Sequence, residues 1–459
     1  MLKLERIEIH NFKSFKDCSI DLSDFNVVVG RNASGKTNLV ELFKLLKMIY
    51  VEKQEFPFLD WWGYDNVVWM GEVLEGPITT VKFYFELMGY KFSFETAFTG
   101  VGGKFDILKE ELDICGYLKI ERKGQWIKCT LAENFLDENW ETVRNIQGLN
   151  SDPMSQYIKK GKDFFKVQEI KVRDEDIRKQ DLTYLRHGHG GLFSYHGNLV
   201  LTHVSYDSKE QQNIFTFEPQ ITNKVKVMTE EGKEEYGQST GPLSTYLCDE
   251  IARFFNQIVI LKGINYSFIR EPAKLRKEHN ILEDGRNVIN VLYSLFLKNN
   301  NKLPDRLKQI LSYIFNDTTL LFDLTQDGRI LLRLFEKYAS GRQLELAAPG
   351  ISDGFYKVLT ILTALESEPS LLMIDELENS LHAEALELIV DELKSSHFMI
   401  IITTHSPVVV DIAAPEDLIL VSKGDEGSIF ERTKNPEKIR EELTKAKITL
   451  SERWLYGKL

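Results

Sequence analysis

A chain of 459 residues with 43% hydrophobic content can bury a large core, and its length allows two or three compact units or one unit carrying insertions. No run approaches the roughly 20 uncharged apolar residues that span a bilayer, and the start, MLKLERIEIHNF, alternates charge and hydrophobe without a signal-peptide core, so a cytoplasmic protein with no membrane partner is expected. The formal charge of −12 excludes a surface coated in positive potential, yet a local basic groove for DNA remains compatible with it.

In chain order, KLERIEIHNF alternates like a half-buried strand, with Leu4, Ile7 and Ile9 among its apolar positions. CSIDLSDFNVVVG predicts two more strands, the second almost wholly apolar and therefore central in a sheet. After GRNASGKT, the apolar residues Leu39, Leu42, Phe43, Leu46 and Ile49 fall at helical spacing from Lys36 onward. ITTVKFYFELMGYKFSFETAF (78–98) alternates at period two across Gly89 and predicts a hairpin.

Residues 99 to 240 mix short strand-like runs with charged loops. YIKKGKDFFKVQEIKVRDEDIRKQ carries both signs of charge, which favours a solvated face over a nucleic-acid track. His187, His189, His196 and His203 fit no tight ligand spacing, so a glycine-rich surface loop is favoured over a metal centre. Cys18, Cys115, Cys129 and Cys248 form no CxxC pair and are expected to be reduced, buried thiols.

Helical spacing returns in LSTYLCDEIARFFNQI, GRNVINVLYSLFLKNN and LPDRLKQILSYIF, followed by two strand-like runs, TLLFDLTQDG and RILLRLFEKY. After LAAPGISDG come a helix (FYKVLTILTALES), an apolar strand (SLLMID), a helix (HAEALELIVDELKSS) and another apolar strand (FMIIITTH). The alternation predicts an α/β fold whose first and last thirds belong to one domain, interrupted by the middle.

Gly30 to Thr37 fits G-x-x-x-x-G-K-[ST], and a buried strand before it and an amphipathic helix after it supply the context of a phosphate loop. The backbone there can curl around phosphate, Lys36 can reach the β/γ-phosphates, and the Thr37 hydroxyl can ligate Mg2+. LLMIDELENSLH puts Asp375 at the carboxyl end of a strand, where open α/β sheets build their sites. Asp375 would hold hydrated magnesium, and Glu376 would orient or deprotonate the attacking water. FMIIITTHSP presents Thr403, Thr404 and His405 at the end of another strand, within reach of a γ-phosphate. In PGISDGFYKVL, Ser352 and Asp353 precede a helix and read either as an ordinary N-cap or as a second anion site.

These elements, in this order, resemble the ABC-type ATPase heads of the SMC, RecF and OLD proteins, and especially the AAA-family ATPases grouped with OLD nucleases and phage-defence systems. NFKSF, DGRN (Asp284 to Asn287) and RWLYG are similar to segments of the same group. The likeness covers roughly residues 1 to 90 and 240 to 459. It implies an α/β head built from the N-terminal part (1–98) and the C-terminal part (243–459) around a large inserted α+β region (99–242). It further implies that ATP is held by Gly30, Arg31, Asn32, Ala33, Ser34, Gly35, Lys36, Thr37 and Asn38. Ser352, Asp353 and Gly354 match the signature motif, Asn379 to His382 the D-loop, and His405 the switch histidine. In such heads the signature of one copy closes over the ATP of the other, so a second copy of the chain is the expected partner.

The sequence departs from the group in three places. Phe355 stands where transporter signatures are polar, and no glutamine marks a Q-loop. The 54 residues after His405 are too few for the nuclease domain of the full OLD enzymes, so any nuclease or toxin is expected on a separate chain. The resemblance implies an ATPase with DNA-associated work in phage defence or DNA repair. The alternative is an ATP-gated scaffold that holds and releases such an effector.

Overall fold

The strand Phe25–Gly30 is apolar except for Asn26, whose amide donates to the Ser23 and Ile400 carbonyls, and all six of its residues are buried. It lies in the middle of a sheet because both of its edges must be paired and both faces covered. The computed structural model describes residues 2–69, 77–124, 126–144, 159–171, 194–196, 199–205, 213–228, 234–315, 318–338 and 340–456. By contacts the chain divides into two units, one made of Met1–Phe12 and Lys53–Arg253, the other of Lys13–Glu52 and Phe254–Leu459.

The second unit holds every residue singled out above for nucleotide chemistry. Its strands run in the order Ile258–Leu261, Leu371–Ile374, Met399–Thr404, Phe25–Gly30, Leu418–Gly424, Gly427–Arg432, Phe15–Asp21. The first five are mutually parallel, and the last two pair antiparallel. The expected α/β P-loop class is therefore present, with an N-terminal piece supplying Phe15–Asp21, the loop strand and its helix and a C-terminal piece supplying the rest. Helices Lys36–Tyr50, Asp353–Glu366 and Ala383–Lys394 carry the crossovers, and one continuous core joins Val27, Val29, Leu359, Leu372 and Ile402.

The helix Asp353–Glu366 is buried at every position from Phe355 to Leu365. A helix apolar all round belongs inside the fold. Its two threonines are satisfied internally: Thr360 and Thr363 each donate to the carbonyl four residues back, at 2.7 Å. Phe355, the residue out of place in a transporter-like signature, is 1% exposed and packs on the Phe315 ring at 4.9 Å. It anchors the first turn of this helix to the helix Asp305–Ile314, a packing job that a polar residue could not do.

The first unit is antiparallel. The strands Lys3–Phe12, Thr79–Leu87, Tyr90–Thr99, Asp106–Ile114, Leu118–Lys123, Trp126–Leu131 and Val167–Lys171 pair in that order. Thr79–Leu87 alternates buried and half-buried along its whole length, the period-two signal of its sequence. A second antiparallel sheet joins Ser194–His196, Leu199–Ser205, Asn213–Met228 and Glu234–Pro242. The charged run 157–180 yields the short helix Asp163–Lys166 and the strand Val167–Lys171, with 157–158 and 172–180 outside the described residues. His187 and His189 also lie outside them, while His196 and His203 sit on separate strands.

Cys18, Cys129 and Cys248 are buried as expected, but Cys115 is exposed, its thiol donating to the Lys91 carbonyl at 3.0 Å. No helix among the described residues is long and apolar enough to cross a membrane.

Candidate functional site

The parallel strands end on one edge of the sheet, and that edge collects the motifs. Gly30 closes the strand Phe25–Gly30, Asp375 follows Leu371–Ile374, and Thr404 ends Met399–Thr404, which lies between them. Strand order alone thus brings three sequence-distant segments together.

From Gly30 the chain turns through Arg31, Asn32 and Ala33, all exposed, and re-enters the fold at buried Ser34. Ala33 adopts a left-handed φ of 60°. Gly35 caps the following helix at φ 110°, and a Cβ there would fall 2.3 Å from Ser428 Oγ and 2.7 Å from Ser14 Oγ, so only glycine fits. Those two hydroxyls brace the loop: Ser428 Oγ contacts the Ser34 carbonyl at 2.6 Å and Ser14 Oγ at 2.7 Å, while Asn38 Nδ2 donates to Ser14 Oγ at 2.7 Å. Thr37 is half-buried in the first turn of the helix Lys36–Tyr50.

Lys36 is 5% exposed, and its ammonium donates to the carbonyls of Gly30 at 2.8 Å and Arg31 at 3.0 Å. Burial pushes its pKa below the ordinary lysine range, while Asp375, Glu376 and Glu378 pull it back up. A cation enclosed by a loop and facing three carboxylates is suited to a polyanion that arrives with its own divalent metal. The loop also contains a buried hydroxyl with no hydrogen-bond partner, Ser34 Oγ. A buried polar atom left unpaired costs free energy unless a ligand satisfies it. The residues present therefore fit a nucleotide phosphate with Mg2+.

Opposite the loop, Asp375 is 8% exposed and accepts from Thr403 Oγ1 at 2.5 Å. Glu376 is exposed at φ 51°, its N–H donating to Thr403 Oγ1 at 3.0 Å and its carboxylate accepting from Asn379 Nδ2 at 2.7 Å. Glu378, not singled out in the sequence, accepts from Thr404 Oγ1 at 2.9 Å and from the His405 backbone N–H at 2.7 Å. Its carboxylate therefore sets where the His405 segment leaves the sheet.

Ser352 and Asp353 are exposed at the start of the helix Asp353–Glu366, where Ser352 Oγ caps the helix by accepting from the Phe355 N–H at 3.3 Å. Contacts of this turn run to its own neighbours. Arg270 donates to the Ile351 carbonyl at 2.9 Å and to Asp353 Oδ1 at 2.5 Å, and lies over the Tyr356 ring at 5.4 Å. Gly354 packs so closely on the 379–382 turn that a Cβ would fall 2.7 Å from the Ser380 carbonyl oxygen. The structure brings the loop, Asp375, Glu376 and His405 together, and it sets Gly354, next to Ser352 and Asp353, against the Ser380 carbonyl.

Lys357 is a further residue at this site. It is 4% exposed, and its ammonium donates to the Glu376 carbonyl at 3.5 Å. Burial lowers its pKa to about 8, against the attraction of Glu378, Asp375 and Glu376. A single cation inside the apolar run FYKVLTILTAL was the signal in the sequence that could have found it.

Comparisons with known proteins find the following likenesses. Over 42 residues, 9% of this chain, the sequence is 52% identical to the chromosome partition protein Smc of Methanocaldococcus jannaschii, a stretch that spans only 4% of that protein's length. Among solved structures, an SMC head bound to the C-winged helix domain of ScpA gives a TM-score of 0.48 at 13% identity, covering 93% of this chain and 97% of that one. The SMC head domain of Thermotoga maritima gives 0.39 at 13% identity, with 94% and 98% covered. A Pyrococcus furiosus Smc head with an extended coiled coil, bound to the C-terminal domain of ScpA, gives 0.45 at 13% identity, with 97% and 100% covered. The family described as the AAA ATPase domain matches residues 2–410, a span that takes in the loop, the Asp375 turn and His405, and it is to this family that the chain belongs.

Proposed function

We propose that the chain binds ATP with Mg2+ at Gly30 to Asn38 and hydrolyses it in a site that a second copy completes. The observation that carries this reading is Lys36, an enclosed ammonium bound to the loop carbonyls of Gly30 and Arg31 and set in the field of three carboxylates that follow the strand Leu371–Ile374. Lys36 takes the β/γ-phosphates, and the loop N–H groups with Ser34 Oγ take the remaining phosphate oxygens. Thr37 and Asp375 hold magnesium, which when bound neutralises charge on the phosphate oxygens. Glu376 orients the attacking water and accepts its proton, and His405 lies beside the γ-phosphate position.

Ser352 and Asp353 are exposed, and Gly354 half-buried, on a helix N-terminus, where N–H groups without intrahelical partners favour an anion. Their own chain already occupies them on the inner side, which supports their meeting the nucleotide of a second copy. Mixing Ser352→Arg chains with Lys36→Ala chains tests the arrangement. Each variant alone is expected to be inactive, and the mixture to recover one working composite site per pair. A Ser352→Arg chain hydrolysing ATP at the wild-type rate would overturn it.

Gly354→Ala is expected to force the Ser352 turn away from Ser380. A displacement of about 1 Å at a reacting site costs roughly 10²-fold in rate. Turnover should fall on that scale while ATP affinity, measured by calorimetry on the unpaired chain, stays unchanged.

We place the output of this ATP switch in DNA-associated phage defence or repair, with residues 99–242 as the inserted region it controls. Binding to duplex and single-stranded DNA, with and without ATP across a salt series, tests this placement. Affinity independent of ATP on both substrates would remove it.

A further inference from the structure

We propose that Lys357 is a positioning residue for hydrolysis: its enclosed ammonium holds the Asp375–Glu378 turn in the conformation that aims Glu376, and it ties that turn to the helix beginning at Ser352. The inference rests on the site described under Proposed function, and it assigns to that site a residue that touches neither nucleotide nor metal.

The geometry is specific. The turn after Asp375 contains two left-handed non-glycine residues, Glu376 at φ 51° and Ser380 at φ 66°. Such conformations persist only where surrounding contacts over-determine them. From the sheet side Thr403 supplies the constraint, accepting the Glu376 N–H at 3.0 Å and donating to Asp375. From the helix side the only hydrogen bond among the described residues is that of Lys357 to the Glu376 carbonyl. At 3.5 Å this is a weak bond, so the stronger contribution is the charge itself, placed among Glu378, Asp375 and Glu376.

Thr360 and Thr363 are satisfied by the helix's own carbonyls, whereas the Lys357 ammonium reaches off the helix to the catalytic turn. Desolvating an ammionium is costly unless charge repays it, and three carboxylates on one short turn supply that charge. Removing the cation leaves those carboxylates mutually repelling with one cation fewer to offset them. The turn then relaxes, and Glu376 loses its aim.

A mechanical consequence follows for a paired site. The helix that carries Lys357 begins at Ser352, the residue proposed to meet the nucleotide of the second copy. A shift of its first turn on that nucleotide moves Lys357 against Glu376 of its own chain.

Steady-state hydrolysis by the full chain, titrated separately with ATP and Mg2+, tests the proposal in wild type, Lys357→Met, Lys357→Gln, Lys357→Met/Glu378→Gln and Glu376→Gln. Lys357→Met is expected to lower kcat at least about tenfold, through a misplaced Glu376, with KM for ATP little changed. Its half-saturating Mg2+ is expected to fall about threefold, because three carboxylates now act with one cation fewer. Removing one negative charge in the Lys357→Met/Glu378→Gln chain should return the Mg2+ midpoint toward wild type. A lower kcat with an unmoved Mg2+ midpoint marks a merely structural residue and overturns the proposal, as does an unchanged kcat.

Should Lys357→Met fail to fold, Lys357→Gln decides, since it keeps a donor and most of the length but not the charge. It must show the same Mg2+ shift. If Glu376→Gln hydrolyses ATP normally, the assignment of the site itself falls. If Glu376→Gln is inactive while the Lys357 variants behave as wild type, only this inference falls.

Discussion

Glu376→Gln is expected to abolish steady turnover while leaving ATP bound. A positioned general base contributes about 10²- to 10⁴-fold, so the loss corresponds to roughly 3 to 5 kcal/mol in the barrier. The side chain is exposed, and glutamine keeps an oxygen for the Asn379 Nδ2 bond, so the fold and the nucleotide affinity should be preserved. With hydrolysis blocked, the ATP-bound pair should accumulate. Size-exclusion chromatography with light scattering should show a dimer in ATP and Mg2+ that reverts when nucleotide is removed. Turnover within about threefold of wild type would place the water-orienting group elsewhere.

Lys36→Ala is expected to fail one step earlier, at binding. Truncating one partner of an enclosed charge pair costs about 2 to 5 kcal/mol, which weakens the dissociation constant for ATP by roughly 30- to 4,000-fold. Without nucleotide, Lys36 donates among the described residues only to the carbonyls of Gly30 and Arg31, so its loss should leave the thermal midpoint of the nucleotide-free chain nearly unmoved. Differential scanning fluorimetry separates the two effects: wild type should be stabilised by ATP with Mg2+ through mass action, and the variant should not. Stabilisation of the variant equal to wild type would contradict the role given to Lys36.

The parts of the site that were legible are those where chemistry restricts residue type and spacing together. A loop that curls around phosphate needs a buried strand, glycine, lysine and a helix in fixed order, and the strand Phe25–Gly30 and the helix Lys36–Tyr50 stand where that order puts them. Asp375 and His405 were found because apolar runs end abruptly in polar residues at a sheet edge. The strand Ile258–Leu261 was less legible, because four apolar residues directly after a helix read as its last turn. Gln343–Ala347, too, carries no hydrophobic run, since its residues are half-buried or exposed and its order comes from pairing with Arg329–Lys337. Lys357, Glu378 and Arg270 act through partners supplied by tertiary packing, and no local pattern announces those partners.

The placement of the loop strand has a consequence for how the chain is made. Phe25–Gly30 is bonded on one side to Met399–Thr404 and on the other to Leu418–Gly424. Between the strand and the first of those neighbours the ribosome adds roughly 370 residues, which at about 5–20 residues per second takes ~20–75 s. Throughout that interval the fully buried loop strand of the nucleotide-binding unit has neither edge covered by its own sheet. A nascent chain in this state is a substrate for chaperones and a hazard for pairing with other nascent chains. Translation that stops at Arg253 would release a product whose phosphate loop is complete in sequence and has no sheet on which to form.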